Sequence, residues 1–290
     1  MNRLIPRIVS VVVLVVAAVA PASAIVPLTA PPLPERVALA DMIVLGKVSA
    51  VEDELVEAAP LVKIPGVTKK VSFRIAVVSV QSSLLGAEKI EHVRVAFAPP
   101  ATDGAKSGRG TSRLALVRLA AGDEGCFFLR KHPDELLYVA AAAYDFVDKA
   151  KTKAFDQEIT QVKRCVHLIG DPKAGLGAEK GEDRLLTAAL LIYRYRTPRQ
   201  VYRGKPKTEP VDAEQSRRIT AALAEGDWST KETPAPVSPL SLFLRLGLTK
   251  EDGWEIPPVL AEVAPAARKW LRDHPDYRIR RYLPPDENGN

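Results

Sequence analysis

Cysteine, histidine and long apolar runs are all scarce in this chain, and each shortage removes a class of function. Two cysteines, Cys126 and Cys165, in 290 residues are too few for a four-cysteine zinc site or a multi-disulfide framework, and neither belongs to a C-x-x-C. The four histidines, His92, His132, His167 and His274, are scattered and form no H-E-x-x-H. Cys165 and His167 stand two apart in a helical pattern, so their side chains diverge by about 200° and cannot cooperate. No G-x-S-x-G is present, and the glycine cluster Gly175 to Gly181 has neither the lysine position of a phosphate-binding loop nor a strand before it. No catalytic residue, metal ligand or cofactor is therefore expected.

The longest apolar run, Ile8 to Ala20, is interrupted only by Ser10 and spans thirteen residues, short of the roughly 20 that cross a bilayer. It follows a basic stretch from Met1 to Arg7 and precedes Ala22-Ser23-Ala24, the small-residue pattern of a cleavage site. Residues 1–24 read as a signal peptide, with Ile25 as the mature terminus. The expected location is secreted or periplasmic, with no transmembrane segment left after cleavage. Losing Arg3 and Arg7 lowers the formal charge from +6 to +4. In that compartment an anionic envelope polymer or another exported protein is the expected partner, and nucleic acid is not. An oxidising environment would let Cys126 and Cys165 pair, closing a loop whose constraint would contribute roughly 4 kcal/mol. Two buried free thiols are the equal alternative.

What is present is a core: 47% of residues are hydrophobic, and their spacing changes part-way along the chain. Residues 25–35, with Pro27, Pro31, Pro32 and Pro34, read as an extended lead-in. Arg36 to Val48 then reads as a first strand, with near-continuous apolar residues at Met42 to Leu45. Lys70 to Val80 alternates as a second strand and Val93 to Phe97 as a third, ended by Pro99-Pro100. Leu114 to Leu119 suggests a fourth, Gly125 to Leu129 a fifth and Leu136 to Ala143 a sixth element. Short strands joined by turns over residues 36–148 predict a small β-barrel or sandwich.

After Asp148 the period becomes helical. Phe155, Ile159, Val162, Val166 and Ile169 share one stripe. A second helix is predicted over Glu182 to Tyr195. A third has Asp212 as N-cap and Gln215 three residues on, closed by Gly226. A short helix opens at Ser238 and Pro239, and the last, about Pro258 to Asp273, should kink or break at Pro265. The whole is α+β: an OB-like β-barrel over 36–148, a helical bundle over 149–283 and a disordered tail over 284–290.

The strand Ala40-Asp41-Met42-Ile43-Val44-Leu45-Gly46-Lys47-Val48, the strand Val71 to Val80 leading to Leu84-Leu85-Gly86, and Ala121-Gly122-Asp123-Glu124-Gly125 before Phe127-Phe128-Leu129 together resemble the netrin-like module of tissue inhibitors of metalloproteinases. That resemblance spans about Arg36 to Ala143 and implies an OB-type barrel. It does not carry the inhibitory chemistry, which uses an N-terminal cysteine to chelate zinc, because no cysteine precedes Cys126.

Two His-Pro-Asp triplets, at His132 and His274, read as turns. The remaining signal is Tyr193 to Lys207, where Arg194, Arg196, Arg199, Arg203, Lys205 and Lys207 and three tyrosines occur with no acid. Tyr277-Arg278-Ile279-Arg280-Arg281-Tyr282 echoes it. Arginine forks beside aromatic rings suit phosphates, carboxylates or sugars, although cations at a helix C-terminus also have a purely structural use. The expected function is an exported, non-enzymatic binding protein. An envelope enzyme with a site assembled from scattered residues and a structural envelope component are the alternatives.

Overall fold

The computed structural model describes residues 30–59, 70–99, 117–132, 137–198, 206–229 and 237–284. The signal peptide, the loop at 101–112, the predicted strand start at Leu114 and nearly all of the tail lie outside these residues. The fold is α+β, with a seven-stranded sheet and seven α-helices among the described residues.

The chain enters differently from expectation. Residues Leu33–Leu39 form helix α1, not lead-in and strand. The prolines that argue against a helix sit at its very start: Pro34 occupies the first turn, where its missing N–H is one the helix could not bond anyway. The carbonyl of Pro32 accepts from the N–H groups of Glu35 (2.9 Å) and Arg36 (3.2 Å). Val37 and Ala38 are fully buried, so α1 is part of the core. Strand β1 then begins at Met42 and runs to Val51.

Strand β1 pairs antiparallel with β3 (Val71–Leu85) on one side and with β5 (Glu124–Lys131) on the other. Strand β3 pairs with β4 (His92–Phe97), β4 runs parallel to β6 (Tyr138–Val139), and β6 pairs with β5. The hydrogen-bonded circuit β1–β3–β4–β6–β5 thus returns to β1. Short strands β2 (Val56–Ala58) and β7 (Phe146–Asp148) attach to β3 and β5. Strand β3 continues past Val80, the expected end of the second strand, through Ser82 and Ser83, which are both paired to β1. Val117 and Leu119, from the predicted fourth strand, are buried without strand pairing.

Three register shifts between β1 and β3 are bulges of the kind that bend and twist a strand. Gly46 and Gly125 stand opposite each other in the β1–β5 ladder. A Cβ on Gly46 would lie 2.7 Å from Ser79 O, and one on Gly125 would collide with Val147 O. Both positions require glycine because neighbouring backbone passes too close for a side chain.

The apolar run of β1 is explained by burial on both faces. Met42, Val44 and Val48 join Val78, Val93, Val95, Phe127 and Leu129 in one cluster. Ile43, with Cys126, Phe128 and Val147, turns the other way and joins the helices. That second cluster takes in α1, α2 (Phe155–Gly170), α4 (Gly181–Arg196), α5 (Ala213–Glu225), α6 (Pro239–Arg245) and α7 (Leu260–Asp273). One face of the sheet and the helices therefore share a single core.

The helices follow the predicted stripe and caps. Ile159, Val162 and Ile169 of α2 are buried. The Asp212 carboxylate accepts from Gln215 N–H at 3.0 Å to open α5, and Ser238 Oγ accepts from Ser241 N–H to open α6. Pro172–Leu176 is a short helix α3 capped by Asp171, which takes in Gly175, the first of the clustered glycines, and α7 continues through Pro265, so of the kink or break expected there no break occurs. Phe243 of α6 is fully buried, with the rings of Trp254, Trp270 and Trp228 around it at 4.7, 5.7 and 6.4 Å.

Candidate functional site

The described residues of the two arginine- and tyrosine-rich segments, far apart in the sequence, meet in space. Strand β8 (Thr208–Pro210) pairs antiparallel with β9 (Arg280–Tyr282), and Leu283 N–H reaches back to Lys207 O at 3.0 Å. The C-terminal end of α4 lies against this ribbon. Arg196 Nη1 donates to Arg280 O at 3.1 Å, and its guanidinium lies over the Tyr282 ring at 4.6 Å. Burial pushes the Tyr195 phenol upward in pKa, against the pull of Arg194 and Arg281, which both stand close enough to act on it.

The cations of this ribbon have different roles. Arg196 donates from Nε to Arg245 O (3.4 Å) and from Nη1 to Arg280 O, so it ties α4 to α6 and β9. Arg278 is held by Val211 O at 2.8 Å, and Arg281 pairs with Glu209. Lys207, Arg280 and Arg281 are exposed, and Arg194 is half-buried. Arg199, Arg203 and Lys205 lie outside the described residues.

A second polar centre, invisible in the sequence, lies on α1. Neighbouring residues Glu35 and Arg36 reach to two different helices. Glu35 receives both guanidinium arms of Arg245 at 2.7 and 3.2 Å, and Arg245 also touches Thr197 Oγ1 and covers the Tyr193 ring. Arg36 Nη1 donates to Glu158 of α2 at 3.0 Å, with the ring of Phe128 packed against its guanidinium carbon at 4.2 Å. These pairs bind α1 to α6 and α2 over the outer face of β5. Beside them opens a cleft lined by Arg36, Arg130, Tyr144 and Asp145. The Asp145 carboxylate is buried and accepts from the N–H groups of Ala141 and Ala142, both at 2.9 Å. Desolvation nonetheless raises its pKa, with those hydrogen bonds and Arg130 opposing.

Cys126 on β5 and Cys165 on α2 are both buried, and both are free thiols in the structure, not a disulfide. Burial pushes Cys126 to about 12, against the pull of Arg36, and Cys165 to about 11. Neither has the exposed, electropositive setting of a reactive thiol. His132 is buried, and its Nε2 lies 2.8 Å from the acceptor Ala59 O. His274 is stacked on Trp270 at 4.4 Å and bonded to that residue's carbonyl at the end of α7. Among the described residues, no group of three or more His, Cys, Asp or Glu could hold a metal, and no helix is long and apolar enough to cross a membrane. No protein-family model and no curated protein matches the chain.

Proposed function

We propose that the chain is an exported, non-catalytic binding protein in which an OB-type β-barrel supports a helical layer and a basic ribbon receives an anionic partner. The barrel reading is supported by the closed pairing circuit, with its single parallel contact between β4 and β6, and by the bulges and facing glycines that curl β1. The helices that follow it are read as the bundle, docked through α1. Export rests on the leader-like residues 1–24.

One observation carries the binding role: folding gathers the described residues of two distant arginine- and tyrosine-rich segments at β8–β9, with Lys207, Arg280 and Arg281 exposed together. A local excess of cations raises the concentration of an anionic polymer or acidic protein surface near it. The partner that best fits an exported basic protein is an anionic envelope polymer. The test is co-sedimentation with an insoluble envelope fraction carrying such polymer. The variant changes Arg194, Arg199, Arg203, Lys205 and Lys207 to Gln and keeps Arg196, whose contacts are internal. Loss of retention with an unchanged fold supports the reading, and undiminished retention refutes it.

A further inference from the structure

The turn that leads into α7 carries a run of exposed apolar side chains. Ile256, Val259 and Leu260 are 65, 51 and 85% exposed, and Pro258 and Ala261 beside them are exposed as well. Single exposed apolar residues are ordinary on a protein surface, but three large ones within five positions make a patch. The charges around it are mostly of one sign. Glu255 precedes the patch, Glu262 stands in the first turn of α7, and Glu251 lies in the short turn Lys250–Asp252, all three exposed. The cation beside them, Lys250, is already bound to Glu255 at 2.6 Å.

That acidic rim decides what can sit on the apolar centre. An anionic lipid surface is repelled, since segments that lie on such membranes surround their apolar residues with Lys and Arg. The same patch on a second copy, met face to face, would bring like charges together. The β8–β9 ribbon has the opposite character. Lys207, Arg280 and Arg281 are exposed there, and Tyr282 and Leu283 lie half-buried alongside them. The exposure of Ile256, Val259 and Leu260 shows that the ribbon of the same molecule does not cover them.

We propose that residues 256–260 of one copy dock, through their apolar side chains and acidic rim, on the β8–β9 ribbon of a second copy of this chain. The two surfaces differ, so the contact is head-to-tail, and each copy keeps one surface of each kind for a further neighbour. Burial of Leu260 supplies attraction, and the opposite charges set partner and register. The contact uses the ribbon that the proposed function gives to an anionic polymer, so polymer and second copy compete for it. Self-association needs no polymer, and failure of one reading leaves the other standing.

The test is sedimentation velocity on the purified protein from about 5 to about 500 μM, a span that covers weak interfaces. The mean sedimentation coefficient should rise with concentration at about 50 mM salt and stay flat at about 500 mM. Leu260→Ser should weaken the association roughly tenfold. One double variant, Glu255→Lys with Glu262→Lys, and another, Lys207→Glu with Arg280→Glu, should each be monomeric alone, their folds checked by amide spectra. Mixing the two should restore association, because every contact in the mixture again joins opposite charges. Wild type that stays monomeric at low salt, or associates equally at both salt concentrations, overturns the proposal. So do double variants that associate alone, or a mixture that does not, because the acidic rim and the ribbon would then not be the surfaces that meet.

Discussion

At the scale of the residue, the structure separates groups that are placed for stability from groups that remain available. Asp145 keeps its two backbone hydrogen bonds but carries a cost for being ionised while buried. A carboxylate whose folded pKa is raised is best tolerated below its unfolded pKa, and that benefit is lost as pH rises through the folded pKa. Asp145→Asn retains an oxygen acceptor and removes the charge. It should therefore melt at or above the wild-type temperature at neutral pH, with the advantage shrinking as pH falls to the ordinary aspartate range near about 4. A variant less stable at neutral pH than in acid, relative to wild type, would show that Asp145 is stabilised as an anion. The two thiols give a second expectation. With pKa values near 12 and 11, Cys126 and Cys165 should ignore a thiol reagent in the native protein at pH 8. Both should react once denatured without a reductant. A thiol titre that rises only after reduction would mean that a disulfide had formed. Legibility at this scale was limited by distance. Arg196 looks like any other cation in its segment because nothing local shows that it bonds the carbonyls of Arg245 and Arg280, 49 and 84 residues away. Arg36 is similarly opaque, since its partner Glu158 is 122 residues distant.

At the scale of the element, local signals were readable wherever they acted within one turn or one strand. The stripe of α2, the Asp212 cap of α5 and the Ser238 start of α6 are such signals, each decided by side chains three or four positions apart. Helix α1 was not readable, because proline both breaks a helix and begins one, and only the burial of Val37 and Ala38 selects the second use. The short strands β2, β7, β8 and β9 have two or three residues of pattern at most and exist through their partners. The element with the narrowest tolerance is β5. Its residue Gly125 faces Gly46 of β1 and lies against the Val147 carbonyl of β7, and backbone cannot yield as a flexible side chain can. Gly125→Ala should cost about 1–3 kcal/mol in urea unfolding. Wild-type stability in that variant would mean that β5 and β7 are not packed as described.

At the scale of the whole molecule, a ring of paired strands and a layer of helices share one apolar core through Ile43, Cys126, Phe128 and Val147, with α1 bridging them by the Glu35–Arg245 and Arg36–Glu158 pairs. The α+β order was legible because the spacing of apolar residues changes after Asp148. The shared core was not, since residues facing out of the sheet alternate with residues facing in and look the same on paper. The same folding that buries these residues brings Arg196 and Lys207 beside the strand Arg280–Tyr282 and Leu283, and the proposed function depends on that juxtaposition. The most direct measurement is retention on the anionic envelope fraction at low and at high salt, for wild type and for the variant with Gln at 194, 199, 203, 205 and 207. Wild type should be retained at about 50 mM salt and released at about 300 mM, where screening is within a few ångströms of contact distance, while the variant should bind roughly tenfold more weakly at low salt. Equal retention of the two proteins, or wild-type retention indifferent to salt, would contradict the account.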